Sequence, residues 1–182
     1  GGASPNPAVK LGQYADLARS QYGDLADEFL DLYPASSDQD AANQTNAAAR
    51  DRARTSTFLW ATQWATAATS PVFTYFWTHV PPGPEGATRG AYHESELEYV
   101  FNSLGAVDRA WTDDDRRIAA TLSGYVVNFV TTGDPNGETL DAHWPAADSA
   151  APGTMEIGDN FGPISAADQP RLEFWTRYFS RQ

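Results

Sequence analysis

Gly90-Ala91-Tyr92-His93-Glu94-Ser95-Glu96-Leu97-Glu98-Tyr99-Val100-Phe101 carries one histidine on a Gly-Ala approach, ahead of an acidic-apolar run that predicts the start of a short helix. Upstream lies Val72-Phe73-Thr74-Tyr75-Phe76-Trp77. This run is short, aromatic and nearly continuous in apolarity, as expected of a strand covered on both faces of an α/β sheet. Between the two, His79 to Gly90 is rich in proline and glycine and predicts a loop with no helix of its own. A histidine on a loop that follows a buried strand can offer one ring nitrogen to a nucleophile and the other to a carboxylate. Taken alone, a loop histidine is more often a surface or structural residue, so the rest of the chain has to decide.

Composition removes several classes of function. The 182 residues carry 24 acidic against 12 basic side chains, a formal charge of −12. Such a surface repels phosphates and argues against nucleic-acid binding. Lys10 is the only lysine, which excludes a polybasic membrane patch. Cysteine is absent, so neither a disulfide nor a thiolate site is expected. No apolar run approaches the ~20 residues of a membrane span. The chain is rich in aromatic residues (six Trp, eight Tyr and nine Phe), with dense runs in Phe58 to Trp77 and Phe174 to Phe179. That density predicts core packing, although acyl-binding pockets use the same residues.

Along the chain, helices dominate. Gly1 to Pro7 reads as a loop. Leu11, Tyr14, Leu17/Ala18 and Tyr22 recur at helical spacing, and Asp24 is placed to cap a second short helix carrying Leu25, Phe29 and Leu32. Ser36-Ser37-Asp38 offers caps for a long helix over Gln39 to Ala68, polar in its first half, aromatic and more buried in its second. Thr112-Asp113-Asp114-Asp115 predicts a capping box, followed by an apolar face of Ile118, Leu122, Tyr125 and Phe129. Gly133-Asp134-Pro135-Asn136-Gly137 stops that helix. Thr154 to Ile157 reads as a short edge strand. Asp168-Gln169-Pro170 opens a last helix with Leu172, Trp175, Tyr178 and Phe179 as its buried stripe. The expected class is α/β, helix-rich, with one late core strand that needs neighbours the chain does not obviously supply.

The run around His93 resembles the histidine segment of the type B carboxylesterases, the cholinesterase-like and para-nitrobenzyl esterase-like branch of the α/β-hydrolases. Tyr125-Val126-Val127-Asn128-Phe129 with Thr132-Gly133-Asp134-Pro135-Asn136-Gly137 is similar to the family's late helix and the turn that ends it. His143-Trp144-Pro145 and Thr154-Met155-Glu156-Ile157 resemble the segments that follow. Gly1-Gly2-Ala3-Ser4-Pro5 resembles sequence just past the family's acidic triad residue. The ordered resemblance covers roughly residues 70 to 182, and more weakly 1 to 69.

It implies an α/β-hydrolase fold and hydrolysis of small carboxylic esters through an acyl-enzyme, with no metal or organic cofactor. His93 would act as general base toward a serine, then as general acid toward the leaving alcohol. The family's Gly-x-Ser-x-Gly elbow does not occur here, and Ser70, Ser95, Ser123 and Ser165 lack its flanking glycines. The family's acid, a glutamate, would lie upstream of Gly1. Residues 1–182 are therefore expected to be the C-terminal portion of the hydrolase domain, lacking nucleophile and acid segments. Its expected partner is the N-terminal part of the same enzyme, and alone it is expected to be inactive.

Rival readings stay in view. Glu94 and Glu98 would share a helix face and Glu96 would not, so solvated or capping roles suit them better than the triad acid. Glu96 matches a glutamate of the family motif and predicts a structural hydrogen bond near the histidine loop. His79 and His143 read as structural or exposed imidazoles. Asp134 to Glu138 lacks the ligand spacing of a calcium loop, and the three histidines lack zinc spacing. The functional alternative is a non-catalytic, cholinesterase-like binding or adhesion module, since that fold can persist without its triad.

Overall fold

The computed structural model describes residues 9–138, 140, 142–147 and 154–181, so the loop expected over Gly1 to Pro7 lies outside the described residues. The elements in chain order are α1 (Leu11–Tyr22), α2 (Ala26–Leu32), α3 (Asp38–Ala67), β1 (Thr74–Trp77), α4 (Pro84–Arg89), α5 (Leu97–Val100), α6 (Asp113–Thr132), β2 (Thr154–Ile157), β3 (Phe161–Ile164) and α7 (Gln169–Phe179). The described residues divide into two compact units, one running from Ala61 to Ile164 and the other combining those up to Trp60 with those from Ser165 onward.

The helical unit is built on aromatic packing. Tyr14, Phe29, Tyr33, Phe174 and Trp175 are buried with Ala18, Ala41 and Ala48, whose small side chains leave room for the rings. Tyr33 organises the polar centre: its hydroxyl donates to Asp51 Oδ2 (2.8 Å) and accepts from Trp175 Nε1 (2.8 Å). Arg171 lies 3.4 Å from the same Asp51 oxygen, with its guanidinium over the Tyr33 ring. These bonds satisfy polar groups that would be costly to bury alone. Phe174, absent from the expected stripe of α7, is fully buried.

Two expectations fail in this unit. Asp24 does not cap α2. The chain passes through a 3-10 turn at Gly23–Leu25 and continues directly into α2, whose Leu25 cap position is itself helical. The preceding turn leaves no exposed helix start to cap, and Asp24 instead accepts two hydrogen bonds from Arg181. The start of α3 is capped as expected, with the Ser37 hydroxyl accepting from the Asp40 N–H at 3.1 Å. The buried stripe of α3 is Ala41, Ala48, Asp51 and Thr55, at spacings that keep one face. Trp60 falls off that stripe and is 55% exposed, so the aromatic second half of the helix is not its more buried half.

The second unit holds a three-stranded sheet in the order β1-β2-β3. β1 and β2 are parallel, with Thr74 opposite Thr154, and β2 and β3 are antiparallel, with Ile157 opposite Phe161. β2 is thus the central strand rather than an edge, and β1 is not the lone core strand. β3 carries Gly162 and Pro163, residues that ordinarily argue against a strand; an edge position tolerates the missing N–H. β1 is not buried along its whole length: Trp77 is fully buried, but Tyr75, two residues earlier on the same face, is 41% exposed.

Behind the sheet, α6 starts with the predicted capping box: Thr112 Oγ1 accepts from the Asp115 N–H and Asp115 Oδ2 accepts from the Thr112 N–H (3.2 and 2.7 Å). Ile118, Leu122 and Tyr125 then bury fully against Trp77, Trp144, Met155 and Ile157. Each buried aliphatic side chain contributes on the order of 1.5–3 kcal/mol. The helix ends at Gly133 as expected. Beyond it, Asn136 acts as an amide strap, accepting from the Trp144 N–H (2.7 Å) and donating to its carbonyl (2.9 Å).

The segment His79 to Gly90 does contain a helix. In α4, Pro84 occupies the first turn, where its missing N–H costs nothing, and Gly90 closes the end. Gly86 lies inside because a Cβ there would stand 1.9 Å from the Pro81 carbonyl oxygen. The residues that read as helix breakers are therefore its two ends and one close approach. Among the described residues, no helix is long and apolar enough to cross a membrane.

Candidate active site

His93 sits at the tip of a four-residue turn, Tyr92 to Ser95, that follows β1 and α4. The Ser95 N–H donates to the Tyr92 carbonyl at 3.1 Å, and the Ser95 hydroxyl donates to the same oxygen at 2.7 Å. Glu94, third in the turn, has φ 73°, the left-handed value that a type II turn requires at that position. The residues either side of His93 and Glu94 point inward: Tyr92 is 8% exposed and Ser95 3%. His93 itself is exposed, and among the described residues no hydrogen bond or ion pair engages its ring.

Both inward anchors are tied to neighbouring elements. Trp77, the last residue of β1, donates its indole N–H to Ser95 Oγ at 2.8 Å. The Tyr92 hydroxyl donates to Glu85 Oε2 of α4 at 3.0 Å, and the Arg89 guanidinium lies over the Tyr92 ring at 4.2 Å. Arg109 stands 3.6 Å from the same Glu85 oxygen. The turn is consequently fixed from the strand side and from the α4 side, while His93 projects away from both.

The acidic residues of the run divide by position. Helix α5 starts only at Leu97, so Glu94 lies ahead of it and shares no helical face with Glu98. Glu96 is half-buried beside Tyr75: burial raises the pKa of the Tyr75 hydroxyl, and the Glu96 carboxylate raises it further. Among the described residues Glu96 Oε2 has no hydrogen-bond partner. No carboxylate of the run meets the His93 ring.

His79 occupies a different environment. Its Nε2 is 2.8 Å from Asp115 Oδ1 and its Nδ1 is 2.5 Å from Asp159 Oδ1, with the ring packed edge-on to Trp77 and Tyr99. The Tyr99 hydroxyl donates to the same Asp115 oxygen at 2.6 Å. Both ring nitrogens are thus committed to the fold. His143 is exposed near the Asp134 turn. Among the described residues, no group of histidines and carboxylates could hold a metal ion.

Residues 9–175 match the model of the carboxylesterase family. The chain belongs to the carboxylesterase family. It is 28% identical over 120 residues to the bile salt-activated lipase of Homo sapiens, covering 62% of this chain and 16% of that protein. It is 30% identical over 111 residues to the medium-chain fatty acyl-CoA hydrolase precursor of Anas platyrhynchos, covering 59% of this chain and 19% of that protein. With carboxylesterase 5A of Canis lupus familiaris it shares 29% identity over 118 residues, 60% of this chain and 20% of the relative. The chain therefore spans a fifth or less of the length of these relatives.

Within this carboxylesterase-family chain, sequence reasoning singled out His93 but missed what holds it. The Trp77–Ser95 bond joins residues 18 apart and leaves no local periodic signal. Glu85 lies in the proline- and glycine-rich stretch whose composition predicts a loop with no helix of its own. Asp115 was legible as a cap, not as the centre of a network that includes His79.

Proposed function

We propose that this chain supplies the catalytic histidine, His93, of a serine carboxylesterase with an α/β-hydrolase fold. Its small mixed sheet and flanking helices then form the C-terminal portion of that fold. The observation that carries the reading is the contrast between His79 and His93. His79 has both ring nitrogens engaged by carboxylates, whereas His93 holds neither, on a turn fixed by its buried neighbours. A general base needs one nitrogen toward the nucleophile and the other toward an orienting acid.

In this scheme His93 takes the proton of a serine hydroxyl as that oxygen attacks the ester carbonyl. It returns the proton to the alcohol oxygen as the tetrahedral intermediate collapses to an acyl-enzyme. A water molecule then repeats the exchange and releases the carboxylic acid. Ser95, two residues from His93, is not the nucleophile: it is buried, its hydroxyl proton goes to the Tyr92 carbonyl and its lone pair receives Trp77. The nucleophile and the orienting acid come from sequence outside these residues, which gives the N-terminal part of the same enzyme as partner. The names of the relatives, a lipase, an acyl-CoA hydrolase and a carboxylesterase, share the transfer of an acyl group to water, and a small carboxylic ester is the substrate class proposed here.

Sequencing the coding region on the N-terminal side of this chain tests the reading. A Gly-x-Ser-x-Gly elbow followed by a glutamate is expected. An elbow whose serine is replaced would contradict it and favour a binding module.

A further inference from the structure

We propose that Ser95 is a positioning residue, transmitting the orientation of β1 to the His93 turn through Trp77. The inference rests on the catalytic reading of His93 and adds a residue to it. Ser95 is 3% exposed and uses its hydroxyl completely: the oxygen accepts from Trp77 Nε1 at 2.8 Å and the proton goes to the Tyr92 carbonyl at 2.7 Å. The second bond doubles the backbone bond that closes the turn. The first bolts the turn to a fully buried side chain that packs on Tyr99 with ring centroids 4.8 Å apart. Trp77 is the last residue of β1, whose register is fixed by pairing with β2.

Without this bond, the turn keeps its Tyr92–Glu85 tie on one side only. The chain could then pivot about that tie and carry His93 with it. A displacement of about 1 Å at a catalytic group costs on the order of 100-fold in rate when geometry governs the chemical step. Substrate affinity depends on other surfaces and should change little. Removing the Ser95 acceptor affects the rate through His93, since Ser95 itself touches no reacting atom.

The test uses the full-length enzyme, steady-state kinetics on a short-chain aryl ester, and Ser95→Ala, Trp77→Phe and their double variant. Ser95→Ala should lower kcat about 10- to 100-fold with KM within about twofold. Trp77→Phe, which removes the N–H and keeps a ring, should lower kcat in the same direction. The double variant should be no slower than Ser95→Ala alone, because both changes break one link. Thermal melts establish that each variant is folded at the assay temperature. If Ser95→Ala is unfolded there, Trp77→Phe carries the test with the same readouts. A kcat within twofold of wild type in the folded variant, while His93→Ala is inactive, overturns the positioning role and leaves the catalytic reading intact. Fully additive losses overturn it as well. If His93→Ala retains activity, the catalytic reading falls and this inference falls with it.

Discussion

The imidazole of His79 holds its Nε2 2.8 Å from the buried carboxylate of Asp115. Its other nitrogen meets Asp159 Oδ1 at 2.5 Å, so carboxylates engage the ring from both sides. Asp115 ties this histidine to the start of α6 and to Tyr99. Burial works against its charge, yet hydrogen bonds from Thr112, Tyr99 and His79 hold its pKa at about 2, below the ordinary 3.8.

That depressed value fixes a pH dependence. A carboxylate whose folded pKa lies below its unfolded one stabilises the fold above the unfolded value and loses that contribution as pH falls toward the folded value. Asp115 should therefore contribute about 2 kcal/mol at pH 6, a share that fades between about pH 4 and pH 2. Urea unfolding of wild type and Asp115→Asn checks this. The destabilisation of the variant should be large at pH 6 and small near pH 2. An equal loss at both pH values would show that the charge of Asp115 is not what stabilises the network.

The φ of 73° at Glu94 gives a second expectation. A non-glycine residue in left-handed conformation carries a cost of roughly 1–2 kcal/mol. Glu94→Gly removes that strain and adds some freedom to the unfolded chain. A net gain of about 0.5–1 kcal/mol should appear as a higher melting temperature, whereas Glu94→Val should melt lower. A lower melting temperature for the glycine variant would contradict the turn geometry described above.

In the helical unit, Thr55 is fully buried and its Oγ1 has no hydrogen-bond partner among the described residues. Leaving a buried hydroxyl unpaired costs about 1–3 kcal/mol. Thr55→Val keeps the shape and removes that cost, so the protein should be more stable by about 1 kcal/mol in urea unfolding. A loss of stability would mean the hydroxyl has a partner.

The legible and the hidden parts of this chain differ in how far apart the deciding residues lie. The capping box of α6 and the stop at Gly133 are local, and both read directly from consecutive residues. His93 stood out for the same reason, because its turn and its helix are spelled out in one run. Helix α4 was hidden because Pro84, Gly86 and Gly90, each sound where it sits, look together like a loop. Gly162 and Pro163 masked β3, whose place depends on β2. Trp60 looked buried by composition, but the stripe of α3 follows Ala41, Ala48 and Thr55 instead. The Trp77–Ser95 and His79–Asp115 links are invisible locally, since each joins residues that meet only after folding.

The catalytic assignment of His93 is tested most directly by kcat on a short-chain aryl ester in the full-length enzyme, comparing folded His93→Ala with His79→Ala and His143→Ala. Circular dichroism first establishes that each variant is folded. His93→Ala should lower kcat by about four orders of magnitude, the range for loss of a triad member. His79→Ala and His143→Ala should stay within about tenfold of wild type, because carboxylates engage both ring nitrogens of His79 and His143 lies outside the turn anchored to β1 and α4. A folded His93→Ala that keeps more than about a tenth of wild-type kcat would contradict the account.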